Sequence, residues 1–252
     1  MSFDFKKELM STPIAHRGYF NEIYPENSMG AMQRAVDNNF SIELDIQLSK
    51  DNQVVVFHDN DLKRVCGVDK MVKELDYSEL QQLSLLDTNS TIPLFEDVLK
   101  VVDGKVLLVI ELKSISGNNT LLVDKTIEIL NKYEGKFVVQ SFDPTIVAQF
   151  KKKAPHFIRG LLVSDMKGSG KSKMINFLLR HMLLNFLAKP YFINTSFDYL
   201  TGKMKRWHKR KPLICYTARN VEQYEYSLKI YDAVIFEGFD PIPLFEKYKK
   251  AY

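Results

Sequence analysis

The chain has 252 residues, of which 45% are hydrophobic, and a formal net charge of +4 at pH 7. No uninterrupted apolar run reaches transmembrane length, and the polar start at 1–12 lacks the apolar segment of a secretory signal, so we expect neither feature. The size allows one large core and is usual for a (β/α)8 barrel, which favours a single domain over 1–252. The two cysteines, Cys66 and Cys215, are far apart in sequence and favour a reduced, cytoplasmic setting.

Short apolar strands alternate with helical patterns along the chain, which is typical of a parallel α/β sheet or barrel. The strands are predicted near Ile14 and at 41–48, 106–112, 137–142, 157–163, 191–195, 213–217 and 233–236. Helices are predicted between them at 27–38, 93–102, 120–133, 144–152, 203–210 and 220–230. Because eight such strands would close a barrel, we predict the (β/α)8 TIM-barrel fold of the α/β class.

The second predicted strand is followed by an insertion, at about 60–104, that a minimal barrel does not need. It comes after a turn at 49–52 and a short extended segment at 53–58. We expect it to lie over the barrel mouth. A small satellite core is predicted within it from four leucines: Leu75, Leu80, Leu83 and Leu86.

A second addition to the barrel is an amphipathic helix after the fifth strand, at 171–189. Its apolar residues form a wide arc, and its polar residues and flanking lysines form a narrower side. Three interpretations stay open: burial against the barrel of the same chain, contact with a second copy, or peripheral contact with a membrane surface.

Three carboxylates on two neighbouring strands indicate a cation site. Side chains alternate along a strand, so Glu43 and Asp45 project from the same face of the second strand. Glu111 on the third strand would be the third ligand. Oxygen ligands suit Mg²⁺ and Ca²⁺ alike, so we predict a divalent cation, one of these two, as the cofactor. The alternative is a set of buried ion pairs in which Lys113 neutralises one carboxylate.

Two histidines stand at the ends of extended segments, where barrel enzymes keep their chemistry. His16 ends the first strand, and His58 ends the short segment after the turn. A histidine titrates near neutrality, so one could accept a proton from a nucleophile while the other donates a proton to the leaving oxygen. Arg17 could bind phosphate through two nitrogens, and the alternative for it is a salt bridge to Glu43 or Asp45.

In their order and spacing, these residues resemble the glycerophosphodiester phosphodiesterase family. The resemblance is carried by His16-Arg17-Gly18, Pro25-Glu26-Asn27-Ser28, Glu43-Leu44-Asp45-Ile46, the turn Ser49-Lys50-Asp51, Val55-Val56-Phe57-His58-Asp59, and Leu62 with Arg64. Further along the chain, Glu111-Leu112-Lys113 and Gln140-Ser141-Phe142-Asp143 extend it, and the similarity weakens after the fourth strand.

The resemblance implies the proton-transfer and metal-binding residues of this chain. In that family two histidines act as general acid and base on a metal-dependent barrel, which implies these roles for His16 and His58. The cation would be held by Glu43, Asp45 and Glu111.

The resemblance also implies contacts with the substrate. Arg17 and Lys113 would contact the phosphate or its neighbourhood, and Phe142 would either line the substrate cleft or belong to the core. Asn27 would cap the first helix or orient a neighbouring side chain.

We therefore predict a metal-dependent phosphodiesterase that releases glycerol 3-phosphate and an alcohol from a glycerophosphodiester. One alternative is a lysophospholipase D at a membrane surface, which the helix at 171–189 and Trp207 in the basic segment 203–211 would suit. Another is a non-catalytic module that binds phosphorylated head groups. Nucleic-acid binding is disfavoured because the basic clusters lack a recognition element, and the sequence does not determine the oligomeric state.

Overall fold

The computed structural model describes residues 4–114, 119–165 and 185–248. The chain divides into two compact units, one made of Met1–Ile14 with Val138–Tyr252 and the other of Ala15–Phe137. The assignment of a single domain to 1–252 remains a prediction. Among the residues that the structure describes, no helix is long and apolar enough to cross a membrane.

The unit Ala15–Phe137 contains the strands that carry the predicted carboxylates. Its strands are β2 (Ser41–Leu48), β3 (Val54–Val56) and β4 (Leu108–Leu112), and β1 (Ile14–Ala15) ends at its first residue. Its helices are α2 (Met29–Asp37), α3 (Lys63–Cys66), α4 (Tyr77–Leu80), α5 (Phe95–Val102) and α6 (Asn119–Leu130), with a 3-10 turn at Val72–Glu74.

Strand β2 is the centre of this unit, and every one of its residues is buried. It pairs in parallel with β4, in a register that places Asp45 opposite Glu111. On its other edge it pairs antiparallel with β3, and Ile46 lies opposite Val56. Burial of both faces explains the nearly continuous apolar run of these strands, and it makes the two acidic residues of β2 exceptional.

The insertion after β2 has its own apolar cluster. Leu75 and Leu80 are buried in it as expected, and Leu83 packs against it partly buried. The expectation was wrong for Leu86, whose side chain is 48% exposed, and Leu85 takes the buried place with 1% exposure. Leu86 and the next residue both have a positive φ, so the chain turns there. This turn decides which of two adjacent leucines faces the cluster, and no hydrophobic period encodes it.

The two adjacent leucines allow a matched test of this cluster. Replacing Leu85 by alanine is expected to lower the free energy of unfolding by about 2–5 kcal/mol, because a buried side chain is removed and a cavity remains. Leu86→Ala should change it by less than about 0.5 kcal/mol, because the side chain is already about half exposed to water. Urea denaturation of both variants measures the difference, and equal losses would contradict the placement of the two side chains.

The unit Met1–Ile14 with Val138–Tyr252 is a run of parallel strands connected by helices. Its strands are β5 (Phe137–Ser141), β6 (Arg159–Val163), β7 (Phe192–Ser196), β8 (Leu213–Ala218) and β9 (Ala233–Phe236), each paired in parallel with the next. Its helices are α1 (Phe5–Leu9), α7 (Pro144–Lys153), α8 (Asn185–Ala188), α9 (Gly202–His208), α10 (Val221–Leu228) and α11 (Ile242–Tyr248).

Two helix caps and one close glycine contact explain the local structure of this unit. Asp143 caps α7 by accepting a hydrogen bond from the N–H of Thr145, and Asn220 caps α10 by accepting one from the N–H of Gln223. Gly160 in β6 is required by close packing, because a Cβ atom there would lie 2.2 Å from the ring of Phe192.

Within the unit Ala15–Phe137 the strand order is β4-β2-β3, and within the other unit it is β9-β8-β7-β6-β5. These are the orders of a (β/α)8 barrel with β3 as an added antiparallel strand, and they confirm the predicted fold class. The element boundaries agree with the predicted ones to within about three residues. The predicted helix at 171–189 lies mostly outside the described residues, and only Asn185–Ala188 of it is described as helix.

Candidate active site

The structure brings the three predicted metal ligands together. Glu43 and Asp45 come from β2, and the parallel register places Glu111 of β4 opposite Asp45. One carboxylate oxygen of each residue lies within 4.8 Å of those of the other two, and all three residues are buried. The alternation of side chains along β2 therefore produces the shared face that the sequence predicted.

The three carboxylates do not share the same electrostatic state. Burial raises the pKa of Glu43 well above its ordinary value, and the charges of Asp45 and Glu111 raise it further. Burial also acts to raise the pKa of Asp45, but the positive charges of Lys113, His58 and Arg17 outweigh it and hold this pKa well below its usual range. A divalent cation would relieve the repulsion at Glu43, and three buried carboxylates are a suitable set of hard oxygen donors, so these residues fit such an ion.

Lys113 forms the ion pairs that were the sequence-based alternative. Its Nζ atom lies 2.8 Å from Oε1 of Glu111 and 3.4 Å from Oδ1 of Asp45. Burial acts to lower the pKa of Lys113, but these carboxylates raise it above its ordinary value, so the side chain is a fixed positive charge. The carboxylate cluster and the ion pairs with Lys113 are therefore both present in the structure.

Arg17 follows β1 and contacts the cluster through both its backbone and its side chain. Its backbone N–H donates to Oε2 of Glu43 at 3.2 Å, and its Nε atom lies 3.6 Å from Oδ2 of Asp45. Its strongest contact was not predicted: Nη1 donates to Oε1 of Glu26 at 2.6 Å. The Nε atom is buried and makes no hydrogen bond among the described residues, so its interaction with Asp45 is an ion pair.

The two histidines lie beside the cluster on different loops of the same unit. His16 directly follows β1, and its Nε2 atom lies 3.9 Å from Oε2 of Glu43. His58 lies two residues after β3, and its Nδ1 atom is 2.6 Å from Oδ1 of Asp59. Asp59 contacts the imidazole at Nδ1, and the ring of His58 remains partly exposed.

Gln47 holds the loop that carries His58, and the sequence analysis did not identify this residue. The amide nitrogen of this buried residue of β2 donates to the backbone carbonyls of Phe57 and Asp59, at 2.9 and 2.8 Å. The residues on either side of His58 are therefore tied to the strand that carries the carboxylates. No sequence signal singled out Gln47, since a glutamine inside a strand is not by itself informative.

Asn27 orients a neighbour and does not cap the helix. Its amide nitrogen donates to Oδ2 of Asp45 at 3.0 Å. The cap of α2 is Ser28, whose hydroxyl accepts the N–H of Ala31. Of the two alternatives for Asn27, the structure therefore shows the orienting one.

Phe142 belongs to the other unit, directly after β5. Its ring is half-buried and meets the ring of Tyr216 edge to face, with centroids 6.0 Å apart. Tyr216 in turn donates from its hydroxyl to the carbonyl of Val163. The role of Phe142 in lining a substrate cleft remains a prediction.

Comparison with known proteins supplies the family. The model of the glycerophosphoryl diester phosphodiesterase family matches residues 16–237. A glycerophosphodiester phosphodiesterase from Bacillus altitudinis is 34% identical over 168 residues, which are 62% of this chain and 68% of that protein. A lysophospholipase D from Rattus norvegicus is 35% identical over 142 residues, 51% of this chain and 44% of that protein.

Solved structures show the same fold. An Oleispira antarctica phosphodiesterase, in complex with the product sn-glycerol-3-phosphate, has a TM-score of 0.76 at 21% identity, covering 89% of this chain and 92% of that one. A glycerophosphodiester phosphodiesterase from Thermotoga maritima has a TM-score of 0.70 at 27% identity, covering 94% of this chain and 97% of that one.

The barrel fold and these matches define an enzyme of the phosphoric diester hydrolase class. Within that class, the chain belongs to the glycerophosphoryl diester phosphodiesterase family, since the family model matches nearly its whole length.

Proposed function

We propose that the protein hydrolyses glycerophosphodiesters to glycerol 3-phosphate and an alcohol, in a reaction that depends on a divalent cation. The observation that carries the proposal is the buried cluster of Glu43, Asp45 and Glu111, flanked by a histidine on each of two loops. Three carboxylates buried together are costly in a purely structural core, since burial and then mutual repulsion raise the pKa of Glu43.

The three carboxylates would hold the cation, which would be Mg²⁺ or Ca²⁺ because both take oxygen ligands. A bound divalent cation would neutralise charge on the phosphoryl oxygens. Lys113 and Arg17 would add two fixed positive charges at the same place. The ion pairs of Arg17 with Glu26 and Asp45 hold its guanidinium beside the carboxylates, and this supports its role in holding the substrate.

We assign the proton transfers to the two histidines. His16 would accept the proton of a glycerol hydroxyl as that oxygen attacks phosphorus, and His58 would donate a proton to the leaving alcohol as its bond to phosphorus breaks. Water would then open the cyclic phosphate with the two roles exchanged. The contact with Asp59 supports the assignment of His58 as the acid, because it engages Nδ1 and leaves Nε2 as the nitrogen for proton transfer.

The test is release of glycerol 3-phosphate from glycerophosphocholine, glycerophosphoethanolamine and a lysophospholipid, each with Mg²⁺, Ca²⁺ or excess chelator. We expect release from the two deacylated diesters with one of the metals and none with chelator. Absence of turnover in every condition, with retained binding of glycerol 3-phosphate, would replace this proposal by the non-catalytic binding module.

A second candidate is lysophospholipase D activity at the inner face of the cytoplasmic membrane. It is supported by the similarity to the rat enzyme and by a basic surface in the unit that contains α9. A surface cavity of about 600 Å³ is lined there by Trp207 and five basic residues: Lys203, Arg206, Lys209, Arg210 and Lys211. On α8, Phe186 is 67% exposed, which suits contact with an apolar boundary.

Vesicle co-sedimentation separates this candidate from the first. Binding to vesicles with phosphatidylglycerol, absent with pure phosphatidylcholine and lost in Phe186→Ser and Trp207→Ala, would support membrane contact. Turnover confined to the lysophospholipid would then make lysophospholipase D the function. Turnover of soluble diesters without vesicle binding would exclude it.

A further inference from the structure

A chain of ion pairs connects the loop of His58 with the loop of Arg17. Oδ1 of Asp59 lies 2.6 Å from Nδ1 of His58, and Oδ2 of the same carboxylate accepts from Nε of Arg64 at 2.6 Å. The two outer nitrogens of Arg64 donate to both oxygens of Glu26, at 2.9 and 2.6 Å. Glu26 also accepts from Arg17, so a single guanidinium bridges the two loops.

The charges along this chain are stable at neutral pH. Burial acts to raise the pKa of Glu26, but the hydrogen bonds from Arg64 and the charge of Arg17 hold it below its ordinary value. Burial likewise acts to raise the pKa of Asp59, and its hydrogen bonds to His58 and Arg64 outweigh this and hold the pKa well below its usual range. Both carboxylates therefore remain ionised acceptors.

An ionised Asp59 determines which nitrogen of His58 carries the proton. Because the carboxylate only accepts, Nδ1 must donate, so Nε2 is the nitrogen that carries the transferable proton when the ring acts as the acid and the lone pair when the ring is neutral. Arg64 holds this carboxylate in place from the opposite side. It is supplied by α3 of the insertion, next to Val65, which is buried in the insertion's apolar cluster. The insertion thus supplies a side chain to the surroundings of His58.

We propose that Arg64 is a positioning residue for the reaction: it fixes the imidazole of His58 through Asp59 and the guanidinium of Arg17 through Glu26. This inference rests on the proposed phosphodiesterase function for its kinetic consequence, but the geometry of His58 can be tested without turnover. The planar fork of arginine is needed because Nε serves one carboxylate while the outer nitrogens serve the other.

Long-range proton–nitrogen NMR spectra of the protein with labelled histidine report the tautomer directly. The signals of His58 among the five histidines are identified by their absence in His58→Gln. In the neutral ring we expect the Nδ1–H tautomer in the native protein and its loss in both Arg64→Ala and Arg64→Lys, since one ammonium group cannot replace the fork. Lys63→Ala, on the same short helix but exposed, is the matched control and should keep the native spectrum.

Steady-state kinetics separates the effect of Arg64 on His58 from its effect on Arg17. Arg64→Ala should lower kcat about 10- to 100-fold and also raise KM, while Asp59→Asn should act mainly on kcat and Glu26→Gln mainly on KM. A retained Nδ1–H tautomer in Arg64→Ala, or native behaviour of Arg64→Lys in both arms, would overturn the proposal. If the native protein hydrolyses no glycerophosphodiester, the proposed function fails, and the NMR arm alone still decides the role of Arg64.

Discussion

Alanine at His16 or at His58 is expected to lower kcat about 10²- to 10⁴-fold, the usual contribution of a positioned acid or base. The reason is that each ring lies beside the carboxylate cluster or its flanking loop, so its removal takes away a proton acceptor or donor at the reacting phosphate. The measurement is steady-state release of glycerol 3-phosphate at saturating metal. The double variant should lose little more than the worse single variant, because the two groups act in the same step.

The control for these variants is His156→Ala. This histidine is exposed, and its ring packs edge to face against Phe157 in the other unit. Its replacement should leave kcat unchanged. If either active-site variant keeps native turnover, that histidine has no part in proton transfer, and if His156→Ala loses activity as well, the losses reflect folding and not chemistry.

Binding of the divalent cation is expected to have a large effect on stability as well as on turnover. At a free concentration 100 times its dissociation constant, an ion that binds only the folded state adds about 2.7 kcal/mol to the free energy of unfolding. Chelator should remove this gain and abolish turnover. Thermal unfolding with Mg²⁺, with Ca²⁺ and with chelator measures the effect and shows which ion the site prefers.

The stabilisation that the bound cation provides should increase with pH. The folded-state pKa of Glu43 is raised above its ordinary value of 4.5, so without metal this group favours the folded state at low pH and loses that contribution as the pH rises through the raised pKa. The depressed pKa of Asp45 acts in the opposite sense, and its contribution is lost only as the pH falls below the ordinary aspartate range. Of these two contributions, only that of Glu43 changes between pH 5 and pH 8, so the metal should stabilise the protein more at pH 8 than at pH 5.

Variants of the cluster identify where the cation acts. Asp45→Asn should weaken metal binding by at least about 10-fold, since even residues that only orient metal ligands contribute that much. Glu128→Gln is the matched control, because Glu128 is an exposed carboxylate paired with Lys132 on the surface. A metal-dependent rise in Tm that survives in Asp45→Asn would place the bound ion elsewhere.

The fold class and the acidic cluster could be predicted from the sequence because both depend on local periodicity. The alternation of apolar strands with amphipathic helices is visible in consecutive residues, and the two-residue period of a strand is enough to place Glu43 and Asp45 on one face. Glu111 could be added because parallel strands of a barrel present their side chains to a common region, and the observed register bears this out by setting it opposite Asp45.

By itself, then, the sequence determined the class of fold, the carboxylates that lie together and the two histidines on neighbouring loops of one unit. Only the tertiary structure decided that Glu26 and Arg64, which are 38 positions apart, bridge those loops, and that Leu85 and not Leu86 is buried. These outcomes depend on where turns direct the chain and on contacts between distant segments. Periodicity reports which face a residue takes within its own element, but the partner it meets is set by the packing of that element against the others.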